Sequence, residues 1–191
     1  MAAKQLRSIY QLKVLLADSK PPIWRRLLVH SNINLNVLHT AIQCSMGWLD
    51  CHLHQFEKDK AIYGIPDDEF AGDFGVDIED ESKYKLSDIL KKEKDSLIYE
   101  YDFGDSWMHK VVLEKIIPFE ISSPLAKCIK GKRSCPPEDC GGIWGYQNLL
   151  DIINDPSDSE YEEMLDWLGG KFDPEHFSLS ETNNMLSKYV K

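Results

Sequence analysis

The 191-residue chain lacks any long run of apolar residues, and no segment approaches the roughly 18 that a membrane-spanning helix requires. The first residues carry Lys4 but have no apolar stretch behind it, so a secretory signal is not predicted either. Cysteines number only five, an odd count that does not predict a disulfide framework. These absences predict a cytoplasmic protein without membrane partners, whose thiols are free, buried or bound to metal.

Several common catalytic signatures are also lacking. The sequence has no Walker A loop, no dinucleotide-binding glycine fingerprint and no Gly-x-Ser-x-Gly elbow. An Asp-Phe-Gly tripeptide occurs at 102–104, but neither the glycine-rich loop nor the His-Arg-Asp motif of protein kinases accompanies it. We therefore reject a protein kinase and find no pattern typical of a P-loop enzyme or a serine hydrolase.

Positive charge is in short supply, because 32 acidic residues outweigh 22 lysines and arginines and give a net charge of −10. Such a surface repels polyanions, which argues against nucleic acid as a partner without excluding it. One local exception, which could hold phosphate, is the basic cluster Lys127, Lys130, Lys132 and Arg133. No aromatic residue for base stacking lies beside it, so we interpret it as solvated or paired with acidic residues.

The apolar pattern predicts a single α+β domain over 1–191, in which strands come first and helices last. Alternating apolar residues predict strands near 9–16, 23–29, 53–58, 97–103 and 107–117. Helical spacing from Leu35 to Met46 predicts an early helix that Gly47 ends. The expected architecture is a mostly antiparallel sheet of four or five strands, packed against this helix and a C-terminal helical group at about 143–191.

Two segments are predicted to be irregular. Residues 65–84 hold eight aspartates and glutamates, and three glycines occur from Gly64 to Gly75, which predicts a long, mobile acidic loop. Residues 127–142 contain three cysteines, two prolines and no clear period, which predicts a rigid loop.

Histidines near two strands form the first candidate metal site. His52 and His54 are two residues apart, a spacing that places both imidazoles on one face of a strand. His109 lies in a later strand, and Asp102 and Asp105 flank the turn that leads into it. These ligands would suit zinc or manganese with a position left for water, as in a metal-dependent hydrolase. The alternative is that the histidines make ordinary hydrogen bonds or lie on different faces of the sheet.

Thiols form the second candidate metal site. Cys135 and Cys140 could chelate one zinc ion, with Cys128 seven residues earlier as a further ligand. A reversible redox pair and ordinary loop thiols are the alternatives.

Aromatic and basic residues form a candidate ligand pocket. Adjacent arginines on a strand point to opposite faces, so one of the pair at 25–26 is expected to face inward. An inward arginine would either support the fold or bind an anion against aromatic walls. The pocket candidates are Trp24, Arg26, Trp48, Phe103 and Trp107.

Several short segments, taken in order, make the chain resemble a known family. They are PPIWRR at 21–26, LH at 38–39, MGW at 46–48, HLHQF at 52–56, YDFGDSWMH at 101–109, CPPEDCGG at 135–142, GY at 145–146 and FDP at 172–174. The pattern covers nearly the whole chain and resembles the root-inducing-plasmid open-reading-frame-3-like family, some of whose members are labelled transposon passenger proteins. The resemblance implies an association with mobile elements but no assigned activity, so it carries over no catalytic residue.

Three functional hypotheses follow. The first is an intracellular binding or interaction module that takes a small anion, a nucleotide or a peptide. The second is a metal-dependent hydrolase that uses the His/Asp cluster, and the third is a nucleic-acid-associated accessory protein.

Overall fold

The computed structural model describes residues 7–66 and 77–191. The strands are β1 (Ser8–Leu16), β2 (Trp24–His30), β3 (His54–Lys58), β4 (Ala61–Gly64), β5 (Ile78–Asp80), β6 (Ser96–Tyr101), β7 (Trp107–Pro118) and β8 (Ala126–Lys132). The helices are α1 (Leu35–Met46), α2 (Leu86–Ile89), α3 (Gly142–Asn154), α4 (Tyr161–Trp167) and α5 (Leu179–Tyr189), with a 3-10 turn at Glu81–Lys83. No helix in these ranges is both long and apolar enough to cross a membrane.

All eight strands belong to one sheet, in the order β5-β4-β3-β6-β7-β1-β2-β8. Every neighbouring pair is antiparallel except β4 and β5, which run parallel. The predicted α+β class and the mostly antiparallel sheet are therefore confirmed, whereas the predicted count of four or five strands is wrong. The two short strands β4 and β5 carry too few residues to show an alternating pattern.

The edge strand β8 corrects the irregular segment predicted from residue 127. Its buried Cys128 alternates with exposed lysines, so the basic cluster is largely the solvent side of a strand. The free edge of β8 is covered by α5: the Asn183 amide accepts from Cys128 N at 2.9 Å and donates to Cys128 O at 2.9 Å. This side chain thereby occupies the position of a further strand.

The predicted acidic loop at 65–84 is ordered in its second part. Ile78–Asp80 forms β5 beside β4, and the 3-10 turn that follows buries Glu81. Residues 67–76 of that prediction lie outside the described part of the chain. The loop prediction fails at 78–83 because backbone pairing and a buried contact of Glu81 outweigh the polar composition.

One face of the sheet forms the core. Leu12, Leu27 and Val111 project from neighbouring strands into this core, where α1 and α5 cover them. The early helix α1 has the predicted bounds, and Gly47 ends it in the left-handed region at φ 95°. At the end of α1, three loops that leave the same end of the sheet come together: 47–53, 102–106 and 133–141.

The C-terminal helical group is confirmed. Helix α3 ends at Asn154. Ser178 caps α5, because its hydroxyl accepts a hydrogen bond from Glu181 N at 3.3 Å.

Candidate functional site

The loop that follows α1 is tied to the loop that follows β8. Buried Trp48 donates through its indole Nε1 to Pro136 O at 3.0 Å, and Leu49 N donates to Glu138 Oε1 at 2.7 Å. These two contacts bring His52 beside the acidic pair Glu138 and Asp139, although more than 80 residues separate them in the sequence.

His52 lies at the centre of this convergence. Its Nε2 is 3.1 Å from Asp139 Oδ1, 3.6 Å from Glu138 Oε2 and 3.7 Å from Asp102 Oδ2. Despite these distances, Nε2 makes no hydrogen bond with any residue in the described ranges, and the atom is buried. One imidazole nitrogen therefore faces three carboxylates without being oriented towards any of them.

Two of the carboxylates are held by other hydrogen bonds. Asp102 accepts from Gly104 N through Oδ1 at 2.9 Å, which leaves Oδ2 facing His52. Glu138 accepts from Leu49 N through Oε1 and from the Tyr101 hydroxyl through Oε2 at 3.0 Å. Burial raises the pKa of Tyr101, which keeps its hydroxyl protonated as a donor. Asp139 is the solvent-facing member, with 70% of its side chain exposed.

The spacing of these donors suits a shared cation. Ligand atoms about 2.1 Å from one tetrahedral metal ion lie about 3.4 Å apart. The three nitrogen-to-oxygen distances from His52 span this value, and the donor atoms of His52, Asp102 and Asp139 all lie within 4.8 Å of one another. We call these four residues, His52, Asp102, Glu138 and Asp139, the His52 centre.

A second group of titratable residues lies beside the first. The imidazole rings of His39 and His54 stack with their centroids 3.5 Å apart and an interplanar angle of 9°. His39 Nε2 lies 2.8 Å from Asp50 Oδ1, and His54 Nε2 lies 2.9 Å from Glu81 Oε2. With the ring of His52, these residues line a cavity of about 410 Å³. We call His39, Asp50, His54 and Glu81 the histidine pair.

Hydrogen bonds fix the protonation of His39. Asp50 N can only donate, so its 3.2 Å contact orients the Gln43 amide with Oε1 as acceptor and Nε2 as donor. Gln43 Nε2 then donates to the Tyr99 hydroxyl at 2.9 Å, and that hydroxyl donates to His39 Nδ1 at 2.8 Å. His39 must therefore carry its proton on Nε2 and donate it to Asp50, which closes a ring of four hydrogen bonds.

This ring separates the two groups chemically. Burial, followed by the neighbouring His54, lowers the pKa of His39 to about 4, so the imidazole is neutral at pH 7. Its Nε2 carries a proton and donates a hydrogen bond to Asp50, so Nε2 has no free lone pair for a metal ion. A metal ion could bind there only by breaking the ring of four hydrogen bonds. His52 Nε2 makes no such hydrogen bond to a described residue, so the His52 centre is the better place for a cation.

The structure thus divides the histidines and aspartates predicted as metal ligands. His52 and Asp102 come together, whereas His54 belongs to the histidine pair. Asp105 accepts from Gly141 N at 3.1 Å and holds a turn. His109 is fully buried, and neither of its ring nitrogens has a hydrogen-bond partner in the described part of the chain. The prediction missed Glu138 and Asp139, which are marked in the sequence only by their place between Pro137 and Gly141.

The cysteines form no group of three metal ligands in the described residues. In the ranges 7–66 and 77–191, neither group of metal-ligating side chains contains a thiol. Cys128 is buried in β8, while burial raises the pKa of both Cys135 and Cys140 to about 12. Without a metal these thiols are neutral at pH 7, which disfavours thiol exchange.

The residues predicted to line an aromatic pocket lie in three places. Trp48 and Trp107 are buried in the core, and Phe103 is half-exposed in the loop after β6. Trp24 and Arg26 lie together on the outer face of the sheet, where Arg26 forms a two-fold ion pair with Glu114 at 2.6 and 2.8 Å. The inward arginine is Arg25.

The basic cluster is divided as well. Lys127, Lys130 and Lys132 are exposed on β8, whereas Arg133 is buried and paired with Glu175. Only the three lysines therefore present charge to a polyanion.

Comparison with known proteins agrees with the resemblance seen in the sequence. Residues 8–181 match the family described as "Plasmid pRiA4b ORF-3-like protein". The chain is 34% identical over 180 residues to the uncharacterized protein y4hQ of Sinorhizobium fredii (strain NBRC 101917 / NGR234), covering 94% of this chain and 91% of that one.

A solved structure shows the same fold. The crystal structure of MM3350, a protein of unknown function from Methanosarcina mazei Go1, superimposes with a TM-score of 0.81. The two chains are 40% identical, and the match covers 94% of this chain and 98% of that one. The present chain therefore belongs to the plasmid pRiA4b ORF-3-like family.

Proposed function

We propose that this protein binds a divalent transition metal at the His52 centre. The observation that carries the proposal is the buried Nε2 of His52, which lies 3.1 to 3.7 Å from three carboxylate oxygens and has no hydrogen bond to a described residue. Three carboxylates that face one another repel, and a shared cation relieves that repulsion.

The ligand types indicate which metals would bind. One imidazole and three carboxylates form a mixed nitrogen and oxygen set, which suits manganese, iron or zinc. Hydrogen bonds to Asp102 and Glu138 orient two of the ligands in advance, as the outer contacts of metal sites do.

The donor atoms of His52, Asp102 and Asp139 lie within 4.8 Å of one another, and a tetrahedral metal held by these three would keep its fourth position for water, which supports a catalytic role over a structural one. A structural metal is closed off by its ligands, whereas a catalytic metal keeps a position open to water. Asp139 brings the His52 centre to the surface, and His52 is also among the residues that line the 410 Å³ cavity beside the histidine pair. This arrangement favours metal-dependent hydrolysis, since a bound metal lowers the pKa of its water ligand.

The first experiment is elemental analysis of protein purified without a metal-affinity tag, followed by titration of chelator-treated protein with Mn²⁺ and Zn²⁺. One equivalent of metal is expected. The Asp139→Asn variant keeps the shape of the side chain and removes its charge at an exposed site, so the protein should still fold. Its affinity for the metal should fall at least about tenfold. His52→Gln should have the same effect.

The matched control is Asp50→Asn, which makes the same replacement of a carboxylate by an amide in the histidine pair. Its metal affinity should equal that of the natural chain. If the natural chain binds neither metal, the proposal is wrong. If Asp50→Asn loses affinity while Asp139→Asn keeps it, the metal belongs to the histidine pair instead.

Hydrolysis is tested separately with chromogenic phosphate and carboxylate esters. The expected result is metal-dependent release of the chromophore that Asp139→Asn abolishes. Metal binding without turnover of any ester would leave the His52 centre as a metal site and remove the hydrolase assignment for these substrate classes.

A further inference from the structure

Arg25 is a buried cation whose acceptors are all neutral. Only 3% of its surface is exposed. Its Nε donates to Ser45 O at 2.7 Å, and its Nη1 donates to Trp24 O and Lys132 O at 3.0 Å each. The ring of Phe177 covers the guanidinium with its centroid 4.6 Å from Cζ.

Other arginines of the chain show what Arg25 lacks. Arg26 is paired with Glu114, and buried Arg133 is paired with Glu175. No carboxylate of the described residues pairs with Arg25, although a guanidinium remains charged at any ordinary pH. The nearby thiol of Cys135 offers no counter-ion, because burial raises its pKa to about 12. A buried charge without a counter-charge is costly unless something else neutralises it.

One nitrogen of Arg25 remains available. Nη2 has no acceptor in the described ranges, but it is not fully sealed from solvent. Arg25 lines a cavity of about 330 Å³ between the end of α1 and α5, which is the solvent space beside this side chain.

The other walls of this cavity are mixed. The apolar part includes Met46, Phe172, Phe177 and Met185. Polar side chains of the walls are engaged elsewhere: Ser134 and Thr182 donate to backbone oxygens, Ser178 caps α5, and His176 lies 3.5 Å from Glu181. In the described residues, Arg25 Nη2 is thus a donor without a partner in a cavity that also holds apolar side chains and the ion pair of His176 and Glu181.

We propose that this cavity binds a small organic carboxylate, with the carboxylate on Arg25 Nη2 and a hydrocarbon body against the methionine and phenylalanine side chains. A charge-assisted hydrogen bond to a carboxylate supplies the missing counter-charge. The apolar walls favour this class over inorganic anions, which carry no apolar surface to bury. This site is separate from the His52 centre and does not depend on metal.

The competing explanation is that Arg25 only supports the fold. Ser45 O belongs to the last turn of α1, where the helix dipole places partial negative charge. Under that explanation the cavity would have no preference for a charged ligand over a neutral one.

The test titrates the natural chain with hexanoate and with 1-hexanol at pH 7.5 by calorimetry and by thermal unfolding. The two probes share the hydrocarbon body and differ in charge. Hexanoate should bind about tenfold more tightly or better, as expected for a hydrogen bond between charged groups. Equal binding of the two probes, or binding of neither, would overturn the proposal.

Two further arms locate the ligand. Met185→Trp fills the cavity from its partly exposed rim without touching the contacts of Arg25, and it should abolish hexanoate binding. Hexanoate binding that survives this change would place the ligand elsewhere. Inorganic phosphate should not compete with hexanoate; competition at equal concentration would refute the assignment to organic carboxylates.

Discussion

The stability of the protein should fall steeply in mild acid because of one residue in the core. His109 projects from β7 between Trp48 and Tyr99, with ring centroids 5.2 and 5.4 Å away. It is fully buried, and neither ring nitrogen has a hydrogen-bond partner in the described part of the chain. Burial lowers the pKa of His109 to about 4.

The direction of the effect follows from where protons bind. Unfolding exposes His109 and returns its pKa to about 6.5, so between pH 6.5 and 4 the unfolded chain binds more protons than the folded chain. The free energy of unfolding therefore decreases as the pH falls through this window. For a shift of this size the loss is about 2 kcal/mol between pH 7.5 and 5, and about 3 kcal/mol when the window is fully crossed.

The perturbation that isolates this effect is His109→Phe, which keeps an aromatic ring and removes the titration. Urea denaturation of both proteins at pH 7.5 and 5 gives the free energy of unfolding at each pH. The natural chain should lose about 2 kcal/mol more than the variant over this interval. Other groups, His39 among them, contribute to both proteins alike and cancel in the comparison.

Val111→Ala serves as the control, because Val111 is a fully buried neighbour on the same face of β7 and does not titrate. It should lower the free energy of unfolding at both pH values and leave the difference between them unchanged. If His109→Phe retains the full pH dependence of the natural chain, the reasoning is wrong and the acid sensitivity arises elsewhere.

Two further substitutions test contacts of the fold. Tyr99→Phe removes the hydroxyl that joins Gln43 to His39 and leaves Gln43 Nε2 and His39 Nδ1 without this partner, so it should lower the free energy of unfolding by about 1 to 3 kcal/mol in urea denaturation. An unchanged free energy of unfolding would contradict the closed ring of hydrogen bonds. Gly131→Ala would place a methyl group 2.5 Å from Phe177 Cζ, so a loss of about 1 to 3 kcal/mol is expected in thermal unfolding, and a neutral result would refute this packing.

The fold was predictable where strands are long and one-sided. Alternation from Tyr10 to Leu16 is plain in the sequence and gave β1 correctly. Strand β8 shows the same alternation, with Cys128 inside and lysines outside, but the lysines made it look like a basic loop. Two of the three residues of β5 are acidic, and the strand pairs with β4 only because the chain returns there, which no local pattern reveals.

The candidate site was predictable only in part, for a related reason. His52 and Asp102 flank neighbouring strand ends, so their proximity follows from pairing of β3 with β6. Glu138 and Asp139 arrive from a loop whose position depends on the hydrogen bond from Trp48 to Pro136 O. That contact is specified by tertiary packing, so spacing along the chain could not have indicated it.

The pairing of Asn183 with Cys128 has a consequence for how copies of this protein meet. An exposed strand edge recruits further strands, and long β-sheets commonly grow between molecules in this way. Here the amide of Asn183 already takes the donor and the acceptor that a foreign strand would need, so α5 would have to detach before β8 could be extended. Helix α5 therefore ends the sheet at β8 and hinders edge-to-edge aggregation at this edge.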